Sequence, residues 1–316
     1  MRTILPLLVV GVFFAGAISI GAADNLPAFK AERWVNSAPL TAAELRGKVV
    51  LVDFWEYTCI NWIRTLPFIK AWNRDYAAHG LVVVGVHAPE FEFGKLAENI
   101  DRAIRDHRLT YPVAVDNQFA IWRSLGNDAW PAKYLFDGQG KLVRRWVGEG
   151  HYDEIESEIR RLLAVANPGL QLPAVSDEAT AFARTGQPSY AGITNETYLG
   201  SERRQPGTVT LEGDWRTERQ YVELRKGTGK ILLPFTAGEV NLVIQPGPSG
   251  TAAVSVLLDG KPVGDARGAD VGPDGIARFD GPRMIRLVAG ASRRRHGLTL
   301  VTSDPGVRIF AFTFGR

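Results

Sequence analysis

Apolar positions change period several times along the first half of the chain. Lys48–Phe54 and Leu81–His87 are near-continuous apolar runs, and such runs suit strands buried on both faces of a parallel or mixed sheet. Between them Ile60, Ile63, Leu66, Ile69 and Trp72 recur at three- and four-residue spacing. That spacing predicts a helix from Cys59 to about His79, ended by Gly80. Further on, the pattern predicts a helix from about Lys95 to His107, a strand at Pro112–Val115 and a short helix at Phe119–Leu125. Trp130–Phe136 reads as a loop and strand, Asp137–Gly140 as a hairpin turn and Leu142–Val147 as its return strand. Tyr152–Ala166 closes this half as a helix with Ile155, Ile159, Leu162 and Leu163 on one face.

The grammar then changes. Ala164–Pro188 lacks periodicity and carries Pro168, Gly169, Pro173 and Pro188, which reads as a linker with room for one docking turn. Beyond it come short strand-like runs at Val209–Leu211, Gln220–Leu224, Lys230–Thr236, Glu239–Gln245, Ala253–Leu258, Met284–Val288, Leu298–Val301 and Ile309–Phe314. Short strands at near-regular spacing predict an all-β sandwich or jelly roll.

Composition narrows the function classes. The 316 residues are 45% hydrophobic and 22% charged, which suits a globular protein of two domains. A formal net charge of +3 with no concentrated basic stripe gives no reason to expect nucleic acid. Arg2 precedes an apolar stretch from Ile4 to Ile20, and Gly21–Ala23 offers small residues for cleavage. Residues 1–23 therefore read as a secretory signal peptide, and the protein as exported, periplasmic or extracellular. An uncleaved membrane anchor is the alternative, and contact with a membrane is expected only in that case.

Export sharpens the reading of Cys59, the one cysteine in the chain. In an oxidising compartment it is a buried inert thiol, a free reactive thiol or a site of intermolecular disulfides. A cysteine at a helix start has its thiolate favoured by the dipole and free backbone N–H groups, which predicts a pKa below the ordinary value of about 8.5. Asp53 lies in an apolar strand, where burial should raise its pKa. His87 ends a strand and reads as structural. With no clustered His or Cys set, neither a metal site nor a cofactor is expected.

Asp53-Phe-Trp55, followed by Cys59 and then Pro67, resembles the active-site segment of thioredoxin-fold oxidoreductases. The motif itself reads Cys59-Ile-Asn-Trp62, with tryptophan where that family carries its second cysteine. The resemblance implies an α/β thioredoxin-like fold, a central mixed sheet flanked by helices, with an insertion after its second strand as in the TlpA-like branch. It implies that the acid at Asp53 assists proton transfer, notably to and from the second cysteine; with that cysteine absent, Asp53 is either a remnant or still acts on Cys59. It also implies that Pro131, after Trp130, is cis and faces the cysteine motif. Trp55, Trp62 and Trp130 are expected to gather as an aromatic substrate groove. Trp62 alternatively just fills space.

Longer stretches, including Val84–Phe91, Trp130–Ala132, Tyr198–Gly200, Leu211–Trp215 and Ala311–Gly315, are similar to the exported carboxy-terminal region of DipZ-type cytochrome c biogenesis proteins. That family joins a thioredoxin-like domain to a β-sandwich resembling carbohydrate-binding modules. The expected boundaries are 1–23 signal peptide, 24–166 thioredoxin-like domain, 167–189 linker and 190–316 β-sandwich. Trp215, Tyr198 and Tyr221 are candidates for stacking on a carbohydrate, with core or interdomain packing as the preferred alternative. Partners implied for the first domain are protein thiols or disulfides in the periplasm. Two function classes follow: a monothiol thiol–disulfide oxidoreductase acting through Cys59, and a non-enzymatic periplasmic binding or scaffold protein. A peroxiredoxin-like peroxidase is disfavoured, because Thr58 adjoins Cys59 and Val52 stands where that motif needs proline.

Overall fold

The computed structural model describes residues 24–316; the export segment read over residues 1–23 lies outside the described residues. The first half builds a six-stranded mixed sheet from β1 (Arg33–Val35), β2 (Val49–Trp55), β3 (Leu81–His87), β4 (Val113–Val115), β5 (Ala132–Phe136) and β6 (Leu142–Val147), in the order β1-β4-β3-β2-β5-β6. β2, β3 and β4 run parallel, and β5 returns antiparallel to β2. Its helices are α1 (Ile60–Tyr76), α2 (Ala97–Asp106), α3 (Ala120–Ser124) and α4 (Tyr152–Ala166).

The two-residue pleat of β2 sorts its side chains. Val49, Leu51 and Trp55 join the cluster formed with α1, α2 and α4, whereas Val50, Val52 and Phe54 pack with Leu45 and with Ile121 of α3. Asp53 has the parity of Leu51 and Trp55, so it stands on the α1 side. Helix α1 carries Pro67 in its interior, and the ring removes the N–H that would otherwise pair with the carbonyl of Ile63. After α1 a single 3₁₀ turn runs to His79, and Gly80 at φ 106° ends it in a conformation that L side chains resist.

The segment 167–189 departs from the linker expected of it. A nine-residue helix, α5 (Asp177–Thr185), lies there and docks on the first half. Phe182 packs edge-on against Tyr152 at 4.7 Å and, again at a steep angle, against Phe68 at 5.9 Å. Ser176 caps α5 by accepting from the Ala179 N–H, and its own hydroxyl donates to the buried Glu156 at 2.5 Å. Ser176→Ala should lower stability by about 1–2 kcal/mol, read as a shift of the urea midpoint. An unchanged midpoint would mean that α5 is not held by its cap.

The second half is one ten-stranded antiparallel sheet curled on itself. Its strands are β7 (Thr197–Tyr198), β8 (Thr210–Thr217), β9 (Val222–Thr236), β10 (Glu239–Gln245), β11 (Ala252–Leu258), β12 (Lys261–Pro262), β13 (Ile276–Phe279), β14 (Arg283–Val288), β15 (Arg295–Thr302) and β16 (Arg308–Gly315). β9 is one strand where the sequence suggested two. Its middle, residues 225–228, is exposed and pairs as a ribbon with β8, so both faces meet water and the residues are polar without a turn. β9 pairs with β16 at one end and with β15 at the other, and this change of neighbour curls the sheet.

The two halves share apolar core. Val243, Phe310 and Ala311 belong to the cluster that contains α1 and α4, and the Phe310 ring lies 5.0 Å from Phe91 and 4.8 Å from Phe93. Arg64 of α1 reaches Glu239 at 2.6 Å. A Cβ on Gly315 would meet the Glu239 carboxylate and that guanidinium, so a larger residue there would push this ion pair aside. No helix among the described residues is long and apolar enough to cross a membrane.

Candidate functional site

Cys59 is the extended residue immediately before α1, at φ −78° and ψ 105°. Its own N–H donates to the Glu56 carbonyl at 3.1 Å, and its carbonyl accepts the Ile63 N–H at 3.0 Å. β2 thus delivers the thiol to the amino end of the helix, as expected, and the Trp62 backbone N–H points at the sulfur. The residue keeps part of its surface, yet protein surrounds the sulfur on most sides.

The acid–base expectation for the thiol fails. Burial pushes the Cys59 thiol well above its ordinary value, and Glu90, Glu196 and Glu56 push in the same direction. The helix terminus and the Trp62 N–H favour the thiolate, but lost hydration and neighbouring carboxylates outweigh them. Glu56 is fully buried and accepts from the Thr58 N–H at 2.7 Å and the Thr58 hydroxyl at 2.5 Å. Burial, with a contribution from Glu90, pushes its carboxyl up to about 8. Glu90 itself accepts the Tyr198 hydroxyl at 2.8 Å and pairs with Arg203 at 2.8 Å.

Asp53 and Trp62 meet directly. The Trp62 indole N–H donates to Asp53 Oδ2 at 2.9 Å, and both side chains are wholly buried. Burial pushes the Asp53 carboxyl up to about 6; Lys133 and the indole bond act against that rise. Lys133 is the cross-strand partner of Asp53 on β5, fully buried, with its amine lowered by burial. Trp55 stacks on Trp62 with centroids 4.6 Å apart and meets His87 edge-on at 4.7 Å. Gly85, beside Asp53 on β3, leaves the room for this: a Cβ there would lie 2.8 Å from Tyr111 and 3.1 Å from the Trp55 indole nitrogen.

The expected aromatic groove is therefore corrected. Trp55 and Trp62 have no exposed surface, because their faces satisfy each other and the core around Asp53. Trp130 stands apart: its indole donates to the Ala88 carbonyl at 3.0 Å and its ring lies against Trp122 at 4.4 Å. The Trp130–Pro131 peptide bond is cis, and the Pro131 carbonyl accepts the Gly148 N–H at 2.8 Å.

The aromatics considered for a sugar are also occupied. Arg203 covers the Tyr198 ring at 3.7 Å, Arg308 covers Tyr221 at 4.8 Å, and the Trp215 ring lies on Gly229. Glu56, Glu90, Glu196 and Lys133 escaped the sequence reading. Glu56 stands inside the cysteine motif and Glu90 inside Ala88–Phe91, but only the fold turns them toward one sulfur. Among the described residues no group of three or more His, Cys, Asp or Glu side chains could hold a metal.

Comparison with known proteins places these features. Residues 22–145 match the AhpC/TSA family and residues 177–315 match a thioredoxin-like C-terminal domain. The chain is 30% identical to Protein DipZ of Mycobacterium tuberculosis over 326 aligned positions, covering 95% of this chain and 44% of DipZ. It thus spans less than half the length of that relative. It is 30% identical to the thiol-disulfide oxidoreductase YkuV of Bacillus subtilis over 132 positions, covering 42% of this chain and 88% of YkuV. A solved thioredoxin-like protein in its oxidised form is 28% identical over 45% of this chain and 96% of its own, with a TM-score of 0.41. With a strand-led cysteine at a helix start, a cis proline in the same half and the match to YkuV, the chain belongs to the thioredoxin-like family, and nearly its whole length is similar to part of Protein DipZ.

Proposed function

We propose that this protein is an exported monothiol thiol–disulfide oxidoreductase acting through Cys59. The observation that carries the reading is Trp62: the indole fills the position one turn beyond Cys59 and is tied to Asp53, so no second sulfur can resolve an adduct. The Cys59 thiol attacks a partner disulfide, forming Cys59–S–S–R, while the other half leaves as R′–SH with the thiol proton. No net oxidation occurs in this exchange. An external thiol reverses it by the same chemistry. Export rests on the apolar stretch within residues 1–23.

The upward shift of the thiol favours a second reading, a binding or scaffold protein built on the same fold. Hydroxyethyl disulfide, a neutral probe, separates the two. The native protein should form a mixed disulfide at Cys59, slowly at neutral pH and faster as pH rises past the ordinary thiol value of about 8.5. By intact mass the adduct should persist until dithiothreitol is added and be absent from Cys59→Ser. A folded protein that takes up no probe at any pH supports the scaffold reading instead.

A further inference from the structure

The face that the second sheet turns toward the first half is not uniformly apolar. Met284 of β14, Val243 of β10 and Ala311 of β16 stand opposite one another and pack into the core shared with α1. Two residues along each strand, and so on the same face, the register aligns Arg286, Asn241 and Thr313. Asn241 is 2% exposed and Thr313 6%. The Asn241 amide nitrogen and the Thr313 hydroxyl are nevertheless without a hydrogen-bond partner among the described residues. Arg286 is exposed; its backbone N–H donates to Asp270 at 2.8 Å, but its guanidinium has no ion pair among those residues.

Two clefts open along this seam, of about 380 and 230 Å³, and Ile63 and Arg286 border both. Asn241 lies in the wall of the larger and Tyr57 in that of the smaller. Tyr57 is 7% exposed, and its hydroxyl is also buried without a partner among the described residues. An unpaired buried donor costs stability, so three along one seam point to a ligand that pairs them. The other cations are answered: Arg64 pairs with Glu239 at 2.6 Å, and Arg102 and Arg283 reach Asp280 at 3.5 and 3.6 Å. Asp106 is an exposed carboxylate of the smaller cleft without an ion pair among the described residues. An anion is therefore favoured in the larger cleft, where Glu239 is already taken by Arg64. Adjacent strands lie about 4.8 Å apart, so the row of three runs roughly 10 Å, the length of about three extended residues. A lone small anion reaches one of these groups, whereas an extended segment presents carbonyls along the whole row.

We propose that this seam, between the first turn of α1 and the row of Arg286, Asn241 and Thr313, binds an extended peptide segment of a partner protein that carries a carboxylate side chain. The carboxylate meets the Arg286 guanidinium from the larger cleft. Backbone carbonyls of the segment accept from the Asn241 amide and from the Thr313 and Tyr57 hydroxyls. No step at Cys59 enters, so the site goes beyond the exchange reading and stands with either reading of the thiol.

The test uses the full native chain and three capped pentapeptides, Ser-Val-Xaa-Val-Ser with Glu, Gln or Lys at the centre. Each is titrated to roughly 5 mM, the range of weak contacts, and followed by the shifts of backbone and side-chain amide resonances. The Glu peptide should bind about tenfold more tightly than the Gln peptide, and the Lys peptide more weakly than either. Arg286→Gln should bring the Glu and Gln peptides together, and roughly 0.5 M NaCl should narrow their gap. Asn241→Leu should weaken all three peptides. Tyr57→Phe removes a hydroxyl unpaired in the free protein, so it should weaken them too while leaving the melting temperature unchanged or raised. Cys59→Ser should bind as the native chain does. A lower melting temperature in Tyr57→Phe would show that the fold already pairs that hydroxyl, and overturns the site. No shifts with any peptide, or equal affinity for the Glu and Lys peptides, overturns it as well. Sodium acetate that matches the Glu peptide at equal concentration assigns a lone carboxylate and overturns the peptide segment.

Discussion

Glu56→Gln should stabilise the protein at about pH 8 and make little difference near pH 4.5, because burial holds the wild-type carboxyl up at about 8 from an ordinary 4.5. Between those values the folded protein keeps a proton that the unfolded chain has lost. Stability is therefore shed as pH rises through the window, at about 1.4 kcal/mol per pH unit for one proton. From pH 6.5 to 8 the loss from Glu56 alone is on the order of 2 kcal/mol. Glutamine keeps the acceptor for Thr58 and removes the titration. Asp53 acts in the same sense between 3.8 and about 6. His87, lowered to about 3 from 6.5 chiefly by burial, acts in the opposite sense between those values and cancels one carboxylate there. Calorimetric melting of both proteins from pH 5 to 8 checks this. A variant that tracks the wild type throughout would show that Glu56 does not titrate late.

Trp62→Cys is expected to convert slow, persistent adducts into turnover. The new thiol would sit one helical turn from Cys59 and resolve the mixed disulfide internally. Intramolecular attack should shorten adduct lifetime on the order of a hundredfold or more, read by intact mass and by an insulin-reduction assay. The same change removes a wholly buried indole, at a cost of roughly 3–5 kcal/mol, so circular dichroism must first show a folded protein. It also removes the Asp53 hydrogen bond, which moves that carboxyl further above about 6. Trp62→Phe is the control: it loses the same bond, supplies no sulfur and should leave adducts as persistent as in the wild type. A folded Trp62→Cys protein that forms no internal disulfide and gains no turnover would favour the binding-protein reading.

These two variants mark where sequence reading works. The strand–helix order and the place of Cys59 were legible because periodicity and the Asp53–Pro67 motif are local. The sign of the thiol shift was not. The helix terminus is a local effect, but the burial of the sulfur, which is the larger cause, and the approach of Glu90 and Glu196 arise only from tertiary contact, and together they reverse the outcome. The Trp62–Asp53 bond spans a strand and a helix, so spacing alone gave no hint of it. α5 was legible in part: Ser176 followed by Asp177 and Glu178 is a helix-start signal, masked by the prolines around it. The ribbon of β8 and β9 was hidden because two wet faces leave no alternation to read.

The Phe310 contact has a consequence for timing. During synthesis the first sheet and its helices leave the ribosome long before Phe310 of β16, which packs on Phe91 and Phe93. Until β16 arrives those rings lack their cover, and so does the Tyr198 segment, which is held in place by pairing with β16. A nascent chain therefore passes through an interval with this apolar surface open. The late strand closes it, so a chaperone has its widest access to Phe91 and Phe93 before β16 is made.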